Sequence, residues 1–366
     1  MTNFLINNQQ VEIISSIGCF DNLSKLVPLK KYSKIAILTD DCLVKVYEKR
    51  IKESLDGFDF KVIIIKSGEK HKNLKTAQKV WQELFDFSFD RNSLLINFGG
   101  GMISDLGGFV AATFMRGIDF VNVPTTLLSQ VDAAIGGKTA INFGPIKNNI
   151  GLFANPKYIL IDPTFCESLP KREVLSGFAE ILKYGIVFDK EMFEYLESKI
   201  FLSFDLKDLE QLIKKSCYLK ISSIQEDFLE KGQRKLLNFG HTIGHAFESI
   251  SMNTKKYLTH GEAVAIGMVI ESEIACKFGL LQQKDLEKIK EIIFKNYSFN
   301  LSKKIDLESI KSKIKFDKKS INNKVNWSLP VAIGKAFYDQ HIPDKIVEDS
   351  IIVFLENYKK KHVKQI

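Results

Sequence analysis

Ser93-Leu-Leu-Ile-Asn97-Phe-Gly99-Gly100-Gly101-Met-Ile-Ser104-Asp105-Leu-Gly107-Gly108-Phe109 decides the fold class of this chain. The apolar run at 93–98 reads as a buried strand, and glycines follow it directly before an apolar stretch of helical length. A strand that turns through glycines into a helix presents unpaired backbone N–H groups, an arrangement suited to a pyrophosphate. The spacing departs from the strict G-x-G-x-x-G fingerprint, because Ser104 stands where the third glycine belongs. Taken alone, the stretch fits a dinucleotide site or a plain tight turn equally well.

Outward from this stretch the pattern repeats. Lys34-Ile-Ala-Ile-Leu-Thr39, ending at Asp40, and Lys61-Val-Ile-Ile-Ile-Lys66 lie upstream. Phe120-Val-Asn-Val-Pro124 and Tyr158-Ile-Leu-Ile161 lie downstream, and residues 74–87 are helical in pattern. Strands alternating with helices predict a parallel sheet covered on its faces. From about residue 171 the pattern changes to helices at 173–187, 191–201, 206–224, 241–251, 261–278 and 345–359. The expectation is an α/β, Rossmann-like N-terminal nucleotide-binding domain (1–170) with a mostly parallel sheet, then an all-α C-terminal domain (171–366).

Composition narrows the function. The 366 residues allow two cores, and 45% hydrophobic with 26% charged residues is ordinary for a globular enzyme. The five cysteines are odd in number and never form a C-x-x-C pair, which argues for reduced thiols in a cytoplasmic protein. No secretory signal is apparent at the N-terminus. The most apolar stretch, 93–115, is interrupted by Asp105 and five glycines, so no membrane span is expected. The net charge of +8 lacks an aromatic-interleaved basic stripe, which points to small anions and away from nucleic acid.

Two further segments carry chemistry. Val123-Pro-Thr125-Thr126-Leu-Leu-Ser-Gln-Val-Asp132-Ala-Ala-Ile-Gly136-Gly137-Lys138-Thr139-Ala-Ile-Asn142, followed by Lys147-Asn148, sets cations, an amide and a carboxylate beside paired glycines. Such a set can hold a phosphate and a sugar hydroxyl, with Arg116 supplying a planar cation just upstream. Ser67-Gly68-Glu69-Lys70-His71-Lys72 offers a second contact after a strand, or an ordinary polar turn.

In the helical half, Asn238-Phe-Gly-His241-Thr-Ile-Gly-His245 and His260-Gly-Glu262 hold three of the six histidines. His241 and His245 are i and i+4 on one helix face, and His260 can reach the same point, which suits a divalent metal or a catalytic cluster. In Gly177-Phe-Ala-Glu180-Ile-Leu-Lys183-Tyr-Gly185, Glu180 and Lys183 share one face of an apolar helix, either as an ion pair or with Glu180 as a further ligand. Lys220, Arg234 and Asn238 are further polar groups before or within the histidine segment.

With these residues in view, the chain closely resembles the 3-dehydroquinate synthase family. The resemblance runs from about residue 34 to 347 and is carried by 99–109, 123–142, Lys147-Asn148, 177–185, 237–245 and 260–267. Any one of these motifs occurs elsewhere; all six in this order are specific. The resemblance implies two domains, NAD, a divalent metal (usually zinc, with cobalt as an alternative) and commonly a homodimer. It implies conversion of 3-deoxy-D-arabino-heptulosonate 7-phosphate into 3-dehydroquinate and phosphate, the second step of the shikimate pathway. The reaction runs by transient oxidation with NAD, β-elimination of phosphate, re-reduction and intramolecular aldol closure, a net lyase reaction.

Carried over by position, the metal ligands are Glu180, His241 and His260, which leaves His245 as a catalytic, proton-transferring histidine. Lys138, Asn148, Asn238 and Arg116 hold phosphate, with Arg116 reaching into a partner subunit's site. Lys220 and Arg234 hold the carboxylate, and Asp132 and Lys183 orient hydroxyls, so that Lys183, Asp132 and Lys138 count with His245 as catalytic. One of Lys318 and Lys319 closes over the substrate. Asp40, Glu69, Lys72, Gly100, Gly101, Asp105, Thr125, Thr126, Lys138, Lys147 and Ser168 match NAD-contacting positions.

Three departures stand out: Cys42 where relatives usually have Asn, Phe228 where an acidic residue is usual, and Ser168 for Thr. None removes a metal ligand or a phosphate-binding residue. The alternatives are another sugar-phosphate cyclase, which Lys220 and Arg234 as carboxylate binders disfavour, or a metal-dependent alcohol or glycerol dehydrogenase, which would need no cluster of phosphate-binding cations.

Overall fold

The computed structural model describes residues 2–6, 9–144, 146–252, 254–302, 304–315, 320–321 and 324–363. The backbone forms two compact units, Met1–Pro170 with Asp205–Phe228, and Lys171–Phe204 with Leu229–Ile366.

In the first unit, strands β1 (Thr2–Ile6), β2 (Gln9–Ser15), β3 (Ile35–Asp40), β4 (Phe60–Ile65), β5 (Leu94–Gly99) and β6 (Asp119–Pro124) join one sheet. Strands β7 (Lys138–Phe143) and β8 (Ile146–Phe153) pair as a separate antiparallel hairpin, and β9 (Tyr158–Ile161) returns to the sheet. Its order is β1-β2-β9-β6-β5-β3-β4, parallel throughout except for the β1–β2 hairpin. The five strands read from apolar runs all form. The two hairpins lacked such runs and were not expected.

Helices α1 (Leu23–Leu26), α2 (Leu43–Ser54), α3 (Leu74–Asp86) and α4 (Gly101–Thr113) belong to this unit. Along β3, Ile35 and Ile37 enter one core with Phe20, Tyr47 and Ile51, while Ala36 and Leu38 enter another with Val80, Leu84 and Leu106. A strand buried on both faces takes apolar residues on both, which explains the apolar run at 35–38. Strands β4 and β5 flank β3 on opposite sides, so the strand order switches direction there. Open parallel sheets bind ligands in the crevice outside the strand ends at such a switch. Asp40 and Gly99 are the C-terminal residues of β3 and β5.

The glycines of α4 have a packing role. A Cβ at Gly107 would lie 1.8 Å from Asn97 Oδ1, and one at Gly108 would lie 2.4 Å from Thr139 Cγ2. Their absence lets α4 lie directly on β5 and β7.

The second unit begins with α5 (Lys171–Val187) and α6 (Lys190–Glu197). Helix α7 (Leu206–Glu226), which the sequence division at 170/171 left with the second domain, falls within the first unit. Cys217 Sγ donates to Gln130 O at 3.4 Å and Gln225 Nε2 to Leu5 O at 3.1 Å, tying α7 to that unit's loops. Helical periodicity reports that a face is buried, not against which core.

The second unit continues with α8 (His241–Ser251), α9 (His260–Lys277), α10 (Gln283–Asn296), α11 (Leu307–Lys315) and α12 (Asp344–Val363). It is helical as expected, with two short antiparallel pairs added. These are β10 (Ser320–Ile321) with β11 (Lys324–Val325), and β12 (Trp327–Ala332) with β13 (Lys335–Gln340). No helix of the described residues is long and apolar enough to cross a membrane.

Candidate active site

Three helices of the second unit converge on one carboxylate. Glu180, in the middle of α5, is fully buried, and its Oε1 lies 3.3 Å from His241 Nε2 and 3.5 Å from His260 Nε2. Lys183, one turn along α5, pairs with its Oε2. His241 and His260 are the first residues of α8 and α9.

Close backbone packing brings these helix starts together. A Cβ at Gly267 of α9 would lie 1.8 Å from Gly240 O, and one at Gly244 of α8 would lie 2.9 Å from Ala263 O. At Gly261 it would lie 2.2 Å from Ser176 O of α5. Only glycine permits each approach.

The entry of α9 is held locally and from α5. Thr259 and Glu262 form a capping box, and Arg172 grips Glu262 with Nε–Oε1 at 2.7 Å and Nη2–Oε2 at 2.6 Å. The Glu of the His-Gly-Glu motif is therefore a structural anchor for the turn that presents His260.

The donor chemistry fits a divalent cation. His241 Nδ1 lies 3.0 Å from Phe239 O, and because a carbonyl only accepts, that nitrogen carries the proton. In the neutral ring Nε2 then turns a lone pair toward Glu180, and both Glu180 oxygens are buried without a well-directed hydrogen bond. Facing acceptors of this kind call for a positive charge between them. His260 Nδ1 lies 3.4 Å from Glu248 Oε2, the carboxylate backing that orients a metal-bound imidazole.

Electrostatics follow the geometry. Burial would raise the Glu180 carboxyl, but Lys183 and the two imidazoles hold it well below its usual range. Burial and the charge of Lys183 lower His241. Burial also works against a charged His260, yet its contacts with Glu180 and Glu248 lift it to about 10. His245 is exposed, its ring centroid 5.3 Å from that of His241 and 6.0 Å from that of His260. Elsewhere in this unit Arg234 is buried, and Asn238 Nδ2 donates to Glu230 Oε1 at 2.7 Å.

The first unit gathers a different set. Lys220 Nζ of α7 lies 2.7 Å from Asp132 Oδ1, so the expected carboxylate binder and hydroxyl-orienting group are paired with each other. Buried Lys72 reaches Asp105 Oδ2 at 2.8 Å and Glu69 Oε1 at 3.0 Å, and Asn142 Nδ2 donates to Glu69 Oε1 at 2.9 Å. Burial alone would lower Lys72; the two carboxylates reverse this and raise it. Asp105 is raised, chiefly by burial.

Thr125 N–H donates to Gly99 O at 3.0 Å, and a Cβ at Gly100 would lie 3.1 Å from Thr126 Cγ2, so Gly100 meets the threonine pair. Gly101 opens α4, where a Cβ would lie 3.0 Å from Ala133 Cβ. Asp40 Oδ1 accepts from the N–H groups of Cys42 and Leu43 at 2.9 and 3.0 Å, and Ser168 Oγ lies 2.6 Å from Tyr47 Oη. Lys138 and Asn148 are exposed on the β7–β8 hairpin, with Lys147 half-buried between them in sequence. Arg116 (φ 68°) follows Met115 (φ 49°) in a left-handed bend after α4. Lys318 and Lys319 lie outside the described residues.

Glu248, Glu271 and Arg172 carry parts of the site that the sequence reading did not assign. The Thr259-His-Gly-Glu262 spacing is a readable capping signal. Glu271 stands out only as a carboxylate in an apolar run.

Two family models account for most of the chain: 3-dehydroquinate synthase N-terminal over residues 62–176 and 3-dehydroquinate synthase C-terminal over 177–320. The chain belongs to the 3-dehydroquinate synthase family. One relative, the 3-dehydroquinate synthase of Thermoanaerobacter pseudethanolicus, is 43% identical over 338 residues, 90% of this chain and 94% of its own. A 2-deoxy-scyllo-inosose synthase structure, complexed with carbaglucose-6-phosphate, NAD+ and Co2+, has a TM-score of 0.86 at 22% identity and covers 96% of this chain and 98% of that one. A 2-epi-5-epi-valiolone synthase from Streptomyces hygroscopicus subsp. jinggangensis 5008, with NAD+ and Zn2+ bound, has a TM-score of 0.85 at 24% identity, covering 95% and 97%. These two share the fold of the 3-dehydroquinate synthase family member described here.

Proposed function

We propose that this chain converts 3-deoxy-D-arabino-heptulosonate 7-phosphate into 3-dehydroquinate and phosphate, in the cytoplasm and as a homodimer. The observation that supports it most is the convergence of Glu180, His241 and His260 in a chain matched by both halves of the family. Two imidazoles and a carboxylate leave coordination positions open for substrate, as a catalytic metal needs.

In this reading Glu180, His241 and His260 hold the divalent cation, zinc or cobalt. Asp40, Glu69, Lys72, Gly100, Gly101, Asp105, Thr125, Thr126, Lys138, Lys147 and Ser168 hold NAD. When bound, NAD accepts and returns a hydride, and the cation acidifies the hydroxyl to be oxidised. Lys220 and Arg234 bind the substrate carboxylate, while Arg116, Lys138, Asn148 and Asn238 bind its phosphate. Lys183 and Asp132 orient hydroxyls, Lys183 also keeping Glu180 ionised. Exposed His245 moves protons near the phosphate-bearing end. Lys318 and Lys319 remain candidates for closing over the substrate.

The test supplies the heptulosonate phosphate, catalytic NAD and zinc, and follows phosphate release together with NADH absorbance. Phosphate release without NADH accumulation is the expected result. Stoichiometric NADH would indicate a dehydrogenase, and absence of phosphate release would refute the reading.

A further inference from the structure

Glu271 is fully buried in α9, directly after the apolar stretch 263–270, and has no part in the roles given above. Its partners explain its place. Helix α8 starts at His241 after Gly240, which has φ 77° and where a Cβ would lie 2.6 Å from Met268 Cγ. The N-cap of α8 therefore can carry no side chain, and cannot satisfy the first-turn N–H groups itself.

Glu271 supplies what the N-cap lacks. Gly240 N–H donates to its Oε2 at 2.7 Å, and Ile243 N–H donates to its Oε1 at 3.0 Å. These are the N-cap and N3 groups, the two that a capping box serves. Helix α9 makes such a box from its own residues, whereas α8 receives both acceptors from one carboxylate of the neighbouring helix. His241 lies between the two anchored amides, with its ring fixed by Phe239 O.

We propose that Glu271 is a positioning residue that sets His241 for metal binding. The inference rests on the reading of Glu180, His241 and His260 as the metal site. A metal site tolerates ligand displacements of only about 0.2 Å, so a loosened first turn of α8 is read directly in affinity.

The experiment titrates metal-free protein with Co2+ alone, followed by visible absorption, and records the metal-free Tm. Glu271→Gln keeps the shape but sets an amide NH2 against a backbone N–H. Folded E271Q is expected to bind Co2+ about 10- to 100-fold more weakly, with an altered visible spectrum. Ile289→Ala, a core truncation in α10, serves as a destabilised control and should keep wild-type affinity and spectrum. Wild-type affinity and spectrum in E271Q would overturn the proposal. Should E271Q not fold, Glu271→Asp, one methylene too short to serve both amides, is titrated with the same expected loss, and wild-type affinity there overturns it. If wild-type protein bound no Co2+, the metal reading would fail and this inference with it.

Discussion

Replacing Gly267 by alanine tests how the site is built without touching any ligand. The added Cβ would lie 1.8 Å from Gly240 O, 2.8 Å from Gly240 C and 2.9 Å from Gly244 N. All three atoms are backbone of the first turn of α8, so no rotamer change relieves the clash. Restoring a contact of about 3.5 Å requires α8 and α9 to part by roughly 1.7 Å at this point. Overpacking of a tight core costs about 1–3 kcal/mol, and a backbone clash belongs at the upper end. The same displacement carries His241 away from Glu180 and His260, several times further than a metal site tolerates. The expected result is a lowered Tm in a thermal melt together with Co2+ affinity reduced by at least about 10-fold. Gly244→Ala, whose Cβ would lie 2.9 Å from Ala263 O, should show the same effects more weakly. A Gly267→Ala protein with wild-type Tm and wild-type Co2+ affinity would refute the reasoning.

Other outcomes follow from the same geometry. His260→Ala should lose bound metal and phosphate release together, measured by metal analysis and the coupled assay; full activity with metal retained would break the ligand assignment. In metal-free protein His260 rises from 6.5 to about 10, so its stabilising contribution is complete below pH 6.5 and is lost as pH climbs through 10. Calorimetric melts of metal-free protein should therefore show a fall in Tm between these values that is absent from His260→Gln; parallel profiles would contradict the pairing with Glu180 and Glu248. Cys42 is exposed, whereas burial pushes the thiols of Cys19, Cys166 and Cys217 up to about 12. A thiol reagent at pH 8 should label Cys42 rapidly and those three only after denaturation, with fast native labelling of any of them counting against the fold.

Much of this protein is legible in its residues. Strands buried on both faces are apolar at nearly every position, so β3, β5, β6 and β9 announce themselves as runs. The buried Asn97 and Asn122 of β5 and β6 are paired with each other, while edge strand β4 is read from its apolar run at 62–65. The glycines after β5 mark the turn where the strand order reverses, and the helical period places Glu180 with Lys183 and His241 with His245. The candidate ligands of the second unit stand out in the sequence because few side chains can bind a divalent cation, and such residues gathered in apolar segments need a reason.

Tertiary structure decided what period and composition cannot carry. Spacing drew His241 and His245 together, yet the atoms that meet are His241, His260 and Glu180, from three helices whose glycines permit backbone contact. Helix α7 looked like its neighbours in sequence and joined the first unit, because amphipathicity does not name the core it faces. Gly107 and Gly108, to which the sequence alone gives no separate role, seat α4 on the strands beneath it. Glu271 is one carboxylate in an apolar run until α9 lies against α8, where it becomes the cap that Gly240 cannot supply. Local sequence specifies which elements form and which atoms are reactive; contacts between distant segments depend on packing, and packing is settled only when the whole chain folds.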